Sequence, residues 1–297
     1  MNVVIKVDEE TKNKMIEYYK DKVREKTPPY AIFQAQEEDT IITLYNSGKA
    51  MFQGTSAFVD ANMWKAIKEN DEADVDQNDY MNVTAVGSDE VGTGDYFGPI
   101  VVTSSYVSKD DIPFLKKLGC TDSKMLTDEK IKKIAPEIIK KIKYKSIILK
   151  NEEYNEKYSK ENNMNKIKAI MHNKVLFSLL NEVPKPEYVI VDEFAKENRY
   201  YSYLEGIPNV VKGITFITKA ETKNLAVACA SIISRYIFLN EFDKMCDEYH
   251  IPFPKGSGAN VDKIGEEAVE KHGKEILDKV AKKNFSNTSR ILKTKII

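Results

Sequence analysis

The chain has 297 residues, 42% of them hydrophobic and 31% charged, which excludes a single small module and a disordered or fibrous polypeptide. Its 45 Lys and Arg against 46 Asp and Glu leave a net charge of -1, which argues neither for nor against a polyanionic partner. Three scattered cysteines and three scattered histidines exclude a disulfide framework, a thiolate zinc site and an imidazole-rich metal centre, so any metal is to be held by oxygen.

The opening MNVVIKVDEE turns acidic before a signal-peptide core can form, and the residue pattern offers no apolar run of the roughly 18–20 residues a bilayer needs; a cytoplasmic protein with no membrane contact is expected. A strand at 3–7 is followed by Met15, Tyr19 and Val23 at helical spacing. Strands at 31–34 and 40–45, the turn Asn46-Ser47-Gly48, a strand at 50–53 and a helix at about 58–68 complete the order βαβββα, a small α+β unit spanning 1–69. Residues 70–80 follow as a linker, with five acids in NDEADVDQND. Residues 1–80 hold 10 basic against 16 acidic side chains, leaving 35 against 30 for the rest.

From 81 to 297 the pattern becomes α/β. Strands are expected at 83–87, 98–107, 146–149, 188–192 and 214–217, with helical patterns between them. Thr127 is placed to cap a helix carrying Asp128 and Glu129 in its first turn. Met164, Ile167, Met171, Val175 and Leu179 form one apolar face, and the small residues Ala226, Ala228, Ala230 and Ser231 let the helix from 225 to 242 lie close to a neighbour. Residues 271–297 carry eight basic against two acidic side chains, a tail that either attracts a polyanion or is simply solvated.

Carboxylates recur where apolar strands end. Asp89 and Glu90 run into Gly92, Gly94 and Gly98, a segment that is either an acidic hairpin turn or a loop that lets a phosphodiester approach the main chain. Neighbouring residues on a flat strand face opposite ways, so convergence of the two acids requires a bend, which the glycines can supply. Asp192 ends an apolar strand at the rim where open α/β sheets bind ligands. Glu221 stands before the small-residue helix and either caps it or joins the other acids. Four carboxylates at three chain turns suit Mg²⁺ or Mn²⁺ and two-metal phosphoryl chemistry, implying a nuclease or phosphotransferase.

Asp89-Glu-Val-Gly-Thr-Gly-Asp-Tyr-Phe-Gly-Pro99, Asp122-Ser-Lys-Met-Leu126, Val189-Ile-Val-Asp-Glu-Phe-Ala195, and Thr218-Lys-Ala-Glu221 before Ala228-Cys-Ala-Ser-Ile232 resemble type 2 ribonuclease H. The long N-terminal extension, Gly92-Thr93-Gly94 and the final acid Glu221 resemble the bacterial ribonuclease HIII branch. The resemblance implies a ribonuclease H-like mixed sheet flanked by helices, preceded by a TATA-binding-protein-like domain that grips substrate. It implies an endonuclease hydrolysing the RNA strand of RNA/DNA hybrids with Mg²⁺ or Mn²⁺, leaving 5'-phosphate and 3'-hydroxyl ends, with no obligate protein partner. Asp89, Glu90, Asp192 and Glu221 are then the metal-binding acids; Gly92, Thr93 and Gly94 read the 2'-hydroxyl, and Ser123 and Lys124 lie near a backbone phosphate. Phosphate attraction in the N-terminal domain needs a local basic stripe such as Lys20, Lys22, Arg24 and Lys26, which is otherwise a plain solvated helix face. Two departures stand out: no motif near 254–262 matches the C-terminal tyrosine by which ribonuclease HII recognises a DNA–RNA junction, and Glu193 adds a charge after Asp192. The alternatives are a ribonuclease HII-like junction endonuclease and a non-catalytic hybrid-binding protein.

Overall fold

Asp8 starts the first helix, its carboxylate accepting the Thr11 N–H at 2.8 Å, with Glu9 and Glu10 in the first turn where the helix dipole favours negative charge. This is seen in a computed structural model that describes residues 2–24, 26–37, 40–54, 57, 60–61, 64, 80–120 and 126–293. Two compact units divide the chain, Met1–Gln77 and Asn78–Ile297.

In the first unit, β1 (Asn2–Lys6), β2 (Ala31–Glu37), β3 (Thr40–Tyr45) and β4 (Lys49–Gly54) form an antiparallel sheet in the order β1-β4-β3-β2. Helix α1 (Glu9–Tyr19) buries Met15 and Tyr19, and Trp64 Nε1 donates to the Tyr19 hydroxyl at 2.9 Å. Val23 does not continue that helical face: a 3-10 turn at Lys20–Lys22 ends the helix, and Val23 is extended and bridges Ala35. Gly48 is required at the β3–β4 turn, since its φ is 77° and a Cβ would lie 2.7 Å from the Val7 carbonyl oxygen. Of the helix expected at about 58–68, helical backbone is described at Asp60, Ala61 and Trp64; the remainder lies outside the described residues.

The second unit is built on a mixed sheet of β5 (Ala85–Val91), β6 (Ile100–Val107), β7 (Tyr144–Leu149), β8 (Tyr188–Asp192) and β9 (Ile214–Ile217), in the order β7-β6-β5-β8-β9. β7, β6 and β5 are antiparallel neighbours, whereas β5, β8 and β9 run parallel. The linker expected at 70–80 lies outside the described residues except for Tyr80. That residue is core: it is buried, its carbonyl accepts Asn224 Nδ2–H at 2.8 Å, and its ring meets Tyr188 edge-on.

Helices α2 (Ile112–Leu118), α3 (Asp128–Lys141), α4 (Asn151–Lys157), α5 (Met164–Leu180), α6 (Glu197–Tyr203), α7 (Leu225–Tyr249), α8 (Ala259–His272), α9 (Ile276–Val280) and α10 (Ser286–Lys293) complete the unit. α7 covers one face of the sheet and α5 the other: Ala85 and Ile190 pack with Ala226 and Val227, while Val86 and Val191 pack with Ala169 and Leu176. The small residues of α7 permit a close approach, as Ser105 Oγ donates to the Ala226 carbonyl at 2.6 Å and a Cβ on Gly87 would lie 2.3 Å from Val227 N. Contrary to the apolar-run reading, α7 is long and apolar enough to cross a bilayer, yet 67% of its apolar window is buried as core. Over the described residues from 271 to 292 the basic segment is also folded rather than a solvated tail, because Ile276, Leu277, Val280, Ala281, Lys282 and Ile291 are buried.

Candidate active site

β5 pairs without a break as far as Val91, opposite Val101, and the chain turns only at Gly92, where φ is 94°. Asp89 and Glu90 therefore keep the strand alternation and leave the sheet on opposite faces. Asp89 turns toward α7, where the Ser231 hydroxyl bonds its carboxylate and Ser234 Oγ donates to its carbonyl at 3.3 Å. Glu90 turns toward α5, its Oε1 accepting from Lys168 Nζ at 2.6 Å and its Oε2 lying 2.8 Å from His172 Nε2.

His172 is fully buried, with Nδ1 2.8 Å from Ser88 Oγ. Donation of Nε2–H to the Glu90 carboxylate leaves Nδ1 as acceptor for the Ser88 hydroxyl, so one neutral tautomer satisfies both contacts. Phe194 stacks on the imidazole with centroids 5.2 Å apart, and Lys168 Nζ lies 4.0 Å from the same ring's centroid. Sequence reasoning passed over Lys168 and His172. Both sit among other polar residues of the same helix, Asn165, Lys166, Asn173 and Lys174, so the local sequence does not single them out.

Asp192 ends β8 beside the end of β5, since Val191 pairs with Ser88 in parallel register. Its side chain shares the α7 face with Asp89, and Oδ1 accepts the Ala220 N–H at 2.8 Å. That bond ties Asp192 to the turn Ala220–Thr222, which carries the buried Glu221. Lys219 enters the turn in left-handed backbone (φ 56°). Glu221 is not the cap of α7: Asn224 takes that place, accepting from Ala226 and Val227 N–H at 2.9 and 3.2 Å. Glu193 pairs instead with Lys196 at 2.6 Å, its Oε2 lying 3.5 Å from Thr218 Oγ1.

Burial, then the charges of Glu90 and Asp192, push the Asp89 carboxyl up, partly offset by the Ser231 hydroxyl and the Glu90 N–H. Burial would do the same to Glu90, but the His172 and Lys168 contacts outweigh it and hold that carboxyl below the usual range. Asp89, Asp192 and Glu221 thus supply oxygen donors at the carboxyl ends of three parallel strands, with the charges of Glu90 and Asp192 pressing on Asp89 in low dielectric. That donor set fits a hard divalent cation, which relieves the repulsion. The cage is not closed: among the described residues no three His, Cys, Asp or Glu side chains stand together as a metal site.

Beyond β5, Gly92 is buried and a Cβ there would lie 2.1 Å from the Pro99 carbonyl oxygen; Thr93 is half-buried, and Gly94 is exposed, with no atom within 4 Å of where a Cβ would stand. Ser123 and Lys124 lie outside the described residues. Next to that segment, Arg235 donates to the Leu126 carbonyl at 2.8 Å and pairs with Asp128, which Lys255 also bonds. In the N-terminal unit, Lys20 pairs with Glu17 and Lys22 with Glu37, while Arg24 reaches Gln34, so the basic stripe is largely engaged within the fold.

Residues 86–288 match the family model described as Ribonuclease HII, and residues 2–77 match a domain of unknown function, DUF3378. Ribonuclease HIII of Listeria monocytogenes is 39% identical over 302 residues, covering 98% of each chain. Its namesake in Bacillus cereus is 39% identical over 305 residues, again 98% of each. Among solved structures, Bst-RNase HIII in complex with Mn²⁺ aligns with a TM-score of 0.71 and 36% identity over 99% of both chains.

Proposed function

The chain belongs to the ribonuclease HII family, on its ribonuclease HIII branch, and from this membership we propose that it cleaves the RNA strand of RNA/DNA hybrids endonucleolytically with Mg²⁺ or Mn²⁺. The observation that carries the reading is the placement of Asp89, Asp192 and Glu221 at the carboxyl ends of β5, β8 and β9, the rim where open α/β sheets do their chemistry. Asp89, Asp192 and Glu221, with Glu90, are the residues to hold the metal. When bound, a pair of divalent ions supplies water activation and charge neutralisation at the scissile phosphate.

The chain's own groups orient and fix charge. Ser231 holds the Asp89 carboxylate, the Ala220 N–H holds Asp192, and Lys168 with His172 keeps Glu90 ionised despite its burial. Water adds to phosphorus as the bond to the upstream 3'-oxygen breaks; that oxygen gains a proton and becomes the 3'-hydroxyl, and the phosphate stays on the 5'-oxygen of the downstream nucleotide. The glycine loop supplies main-chain groups to the ribose 2'-hydroxyl, the one feature that separates the RNA strand from DNA. Ser123 and Lys124 are assigned to a neighbouring phosphate, and the N-terminal unit to gripping the duplex.

The test is Asp89→Asn on a labelled RNA/DNA hybrid. Cleavage should fall about a thousandfold or more, as several kcal/mol of lost charge stabilisation requires, with binding retained. Retained cleavage overturns the chemistry, and a wild type that binds without cutting marks a hybrid-binding protein. Efficient cutting of a duplex with one embedded ribonucleotide would assign the junction-cleaving subtype.

A further inference from the structure

The glycine loop takes its shape from outside itself. Between the end of β5 and the start of β6 it makes one long internal backbone bond, Asp95 N–H to the Gly92 carbonyl at 3.4 Å. Its other backbone groups bond two distant segments, while the Tyr96 hydroxyl lies 3.0 Å from Thr288 Oγ1. Tyr96 N–H donates to the Gly256 carbonyl at 2.8 Å, and Gly256 N–H returns to Asp95 Oδ1 at 2.6 Å. Gly98 N–H donates to the Val280 carbonyl at 3.0 Å, Lys282 N–H to the Tyr96 carbonyl at 2.9 Å, and Phe97 bridges Ala281.

Lys282 completes this second anchor from below. Its side chain is 0% exposed, and Nζ donates to the Asp95 carbonyl at 2.8 Å and the Gly98 carbonyl at 2.5 Å. Burying an ammonium is costly, and a methionine of similar length would fill the same space without that cost. What methionine lacks is donors, so both carbonyls would be left without this partner. Burial pushes the amine down to about 7, yet ammonium and amine each carry at least two N–H groups, so both bonds persist in either form. A group this unfavourable, joined to two carbonyls of one loop, marks a place where loop shape outweighs stability.

We infer that Lys282 is a positioning residue for ribonucleotide recognition, holding residues 92–99 in the shape that presents the main chain of Gly92, Thr93 and Gly94 to the hybrid. The inference rests on the proposed hybrid-cleaving function and deepens it: the C-terminal helices form the wall that sets the specificity loop. Lys282 touches no reacting group, so its effect is on binding and discrimination rather than on turnover.

The experiment uses the full chain, with Lys282→Met compared to wild type by Kd in Ca²⁺ for an RNA/DNA hybrid and for a DNA/DNA duplex of the same sequence, and by KM and kcat on the hybrid. Lys282→Met should weaken hybrid binding and raise KM about tenfold, the equivalent of about 1.4 kcal/mol of lost preorganisation, with duplex affinity unchanged and kcat altered less than KM. Unchanged hybrid affinity in a folded variant, or hybrid and duplex affinities falling together, overturns the inference. If Lys282→Met does not fold, Asp95→Ala releases the loop's other anchor and should show the same split; equal loss on both duplexes overturns it there. Wild-type failure to cut the hybrid sinks the underlying function instead, so the two failures are distinguishable.

Discussion

Gly94 separates what the fold needs from what the substrate needs. Gly92 is fixed by the fold: at φ 94° an L-residue costs about 1–2 kcal/mol, and its Cβ would sit 2.1 Å from the Pro99 carbonyl, where ordinary contact begins near 3.4 Å, adding about 1–3 kcal/mol of overpacking. Gly92→Ala should therefore lose about 2–5 kcal/mol of stability. Gly94 has no positive φ and no atom within 4 Å of a Cβ, so Gly94→Ala should stay within about 0.5 kcal/mol of wild type, a shift in Tm of about 2 °C or less. If the loop's main chain approaches the ribose, that methyl stands where the substrate lies, and a displacement of about 1 Å is worth about a hundredfold in kcat/KM. Thermal denaturation and cleavage of a labelled hybrid measure the two quantities on one protein. Wild-type kcat/KM in Gly94→Ala would refute close main-chain approach, and a stability loss matching Gly92→Ala would return this glycine to the fold.

A Cβ at Gly87 meets backbone of α7, Val227 N at 2.3 Å and Ala226 C at 2.6 Å, so Gly87→Ala should cost about 1–3 kcal/mol in urea denaturation and weaken cleavage through the Asp89–Ser231 contact; an unchanged urea midpoint would contradict the close packing. Lys168→Met strips the buried Glu90 of its ammonium partner and should destabilise by about 3 kcal/mol, with Glu90→Gln restoring part of it in a double-mutant cycle; coupling below about 0.5 kcal/mol would show the pair to be weak. For Lys282, the ordinary amine value of 10.5 falls to about 7 in the fold. Between those pH values the unfolded chain holds a proton that the folded chain has shed, so its contribution to stability improves as pH rises and is least favourable below pH 7. From pH 7 to pH 9 wild type should gain about 2 kcal/mol over Lys282→Met in urea denaturation; a constant difference would mean the buried amine titrates normally.

Strands whose ends coincide with the ends of apolar runs were legible residue by residue: β8 at 188–192 and β9 at 214–217 fall where the sequence places them. β5 ran four residues past its expected end because Asp89 and Glu90 interrupt the apolar pattern without interrupting the ladder to β6, a partner the local sequence does not reveal. Val23 failed for the opposite reason, since its helical spacing lost to a bridge with Ala35. The two strand-end aspartates were legible because a charge closing an apolar strand is anomalous wherever the strand goes. Lys168, His172 and Lys282 were not, because each is ordinary beside its own neighbours and becomes unusual only once burial brings it against Glu90 or the glycine loop.

The adjacency of Asp89 and Glu90 has a structural consequence. With the turn delayed to Gly92, two consecutive carboxylates must divide between the faces of the sheet, and each is then governed by a different helix: Asp89 by Ser231 of α7, Glu90 by Lys168 and His172 of α5. The division sets their charge states apart, burial beside like charges pushing one carboxyl up while a buried cation and imidazole hold its neighbour down. Asp192 then joins Asp89 rather than Glu90, because parallel register carries face as well as position from strand to strand. Two helices on opposite faces thus hold one rim in place, and a change in either that shifts its carboxylate should be felt at the site even where it touches no substrate.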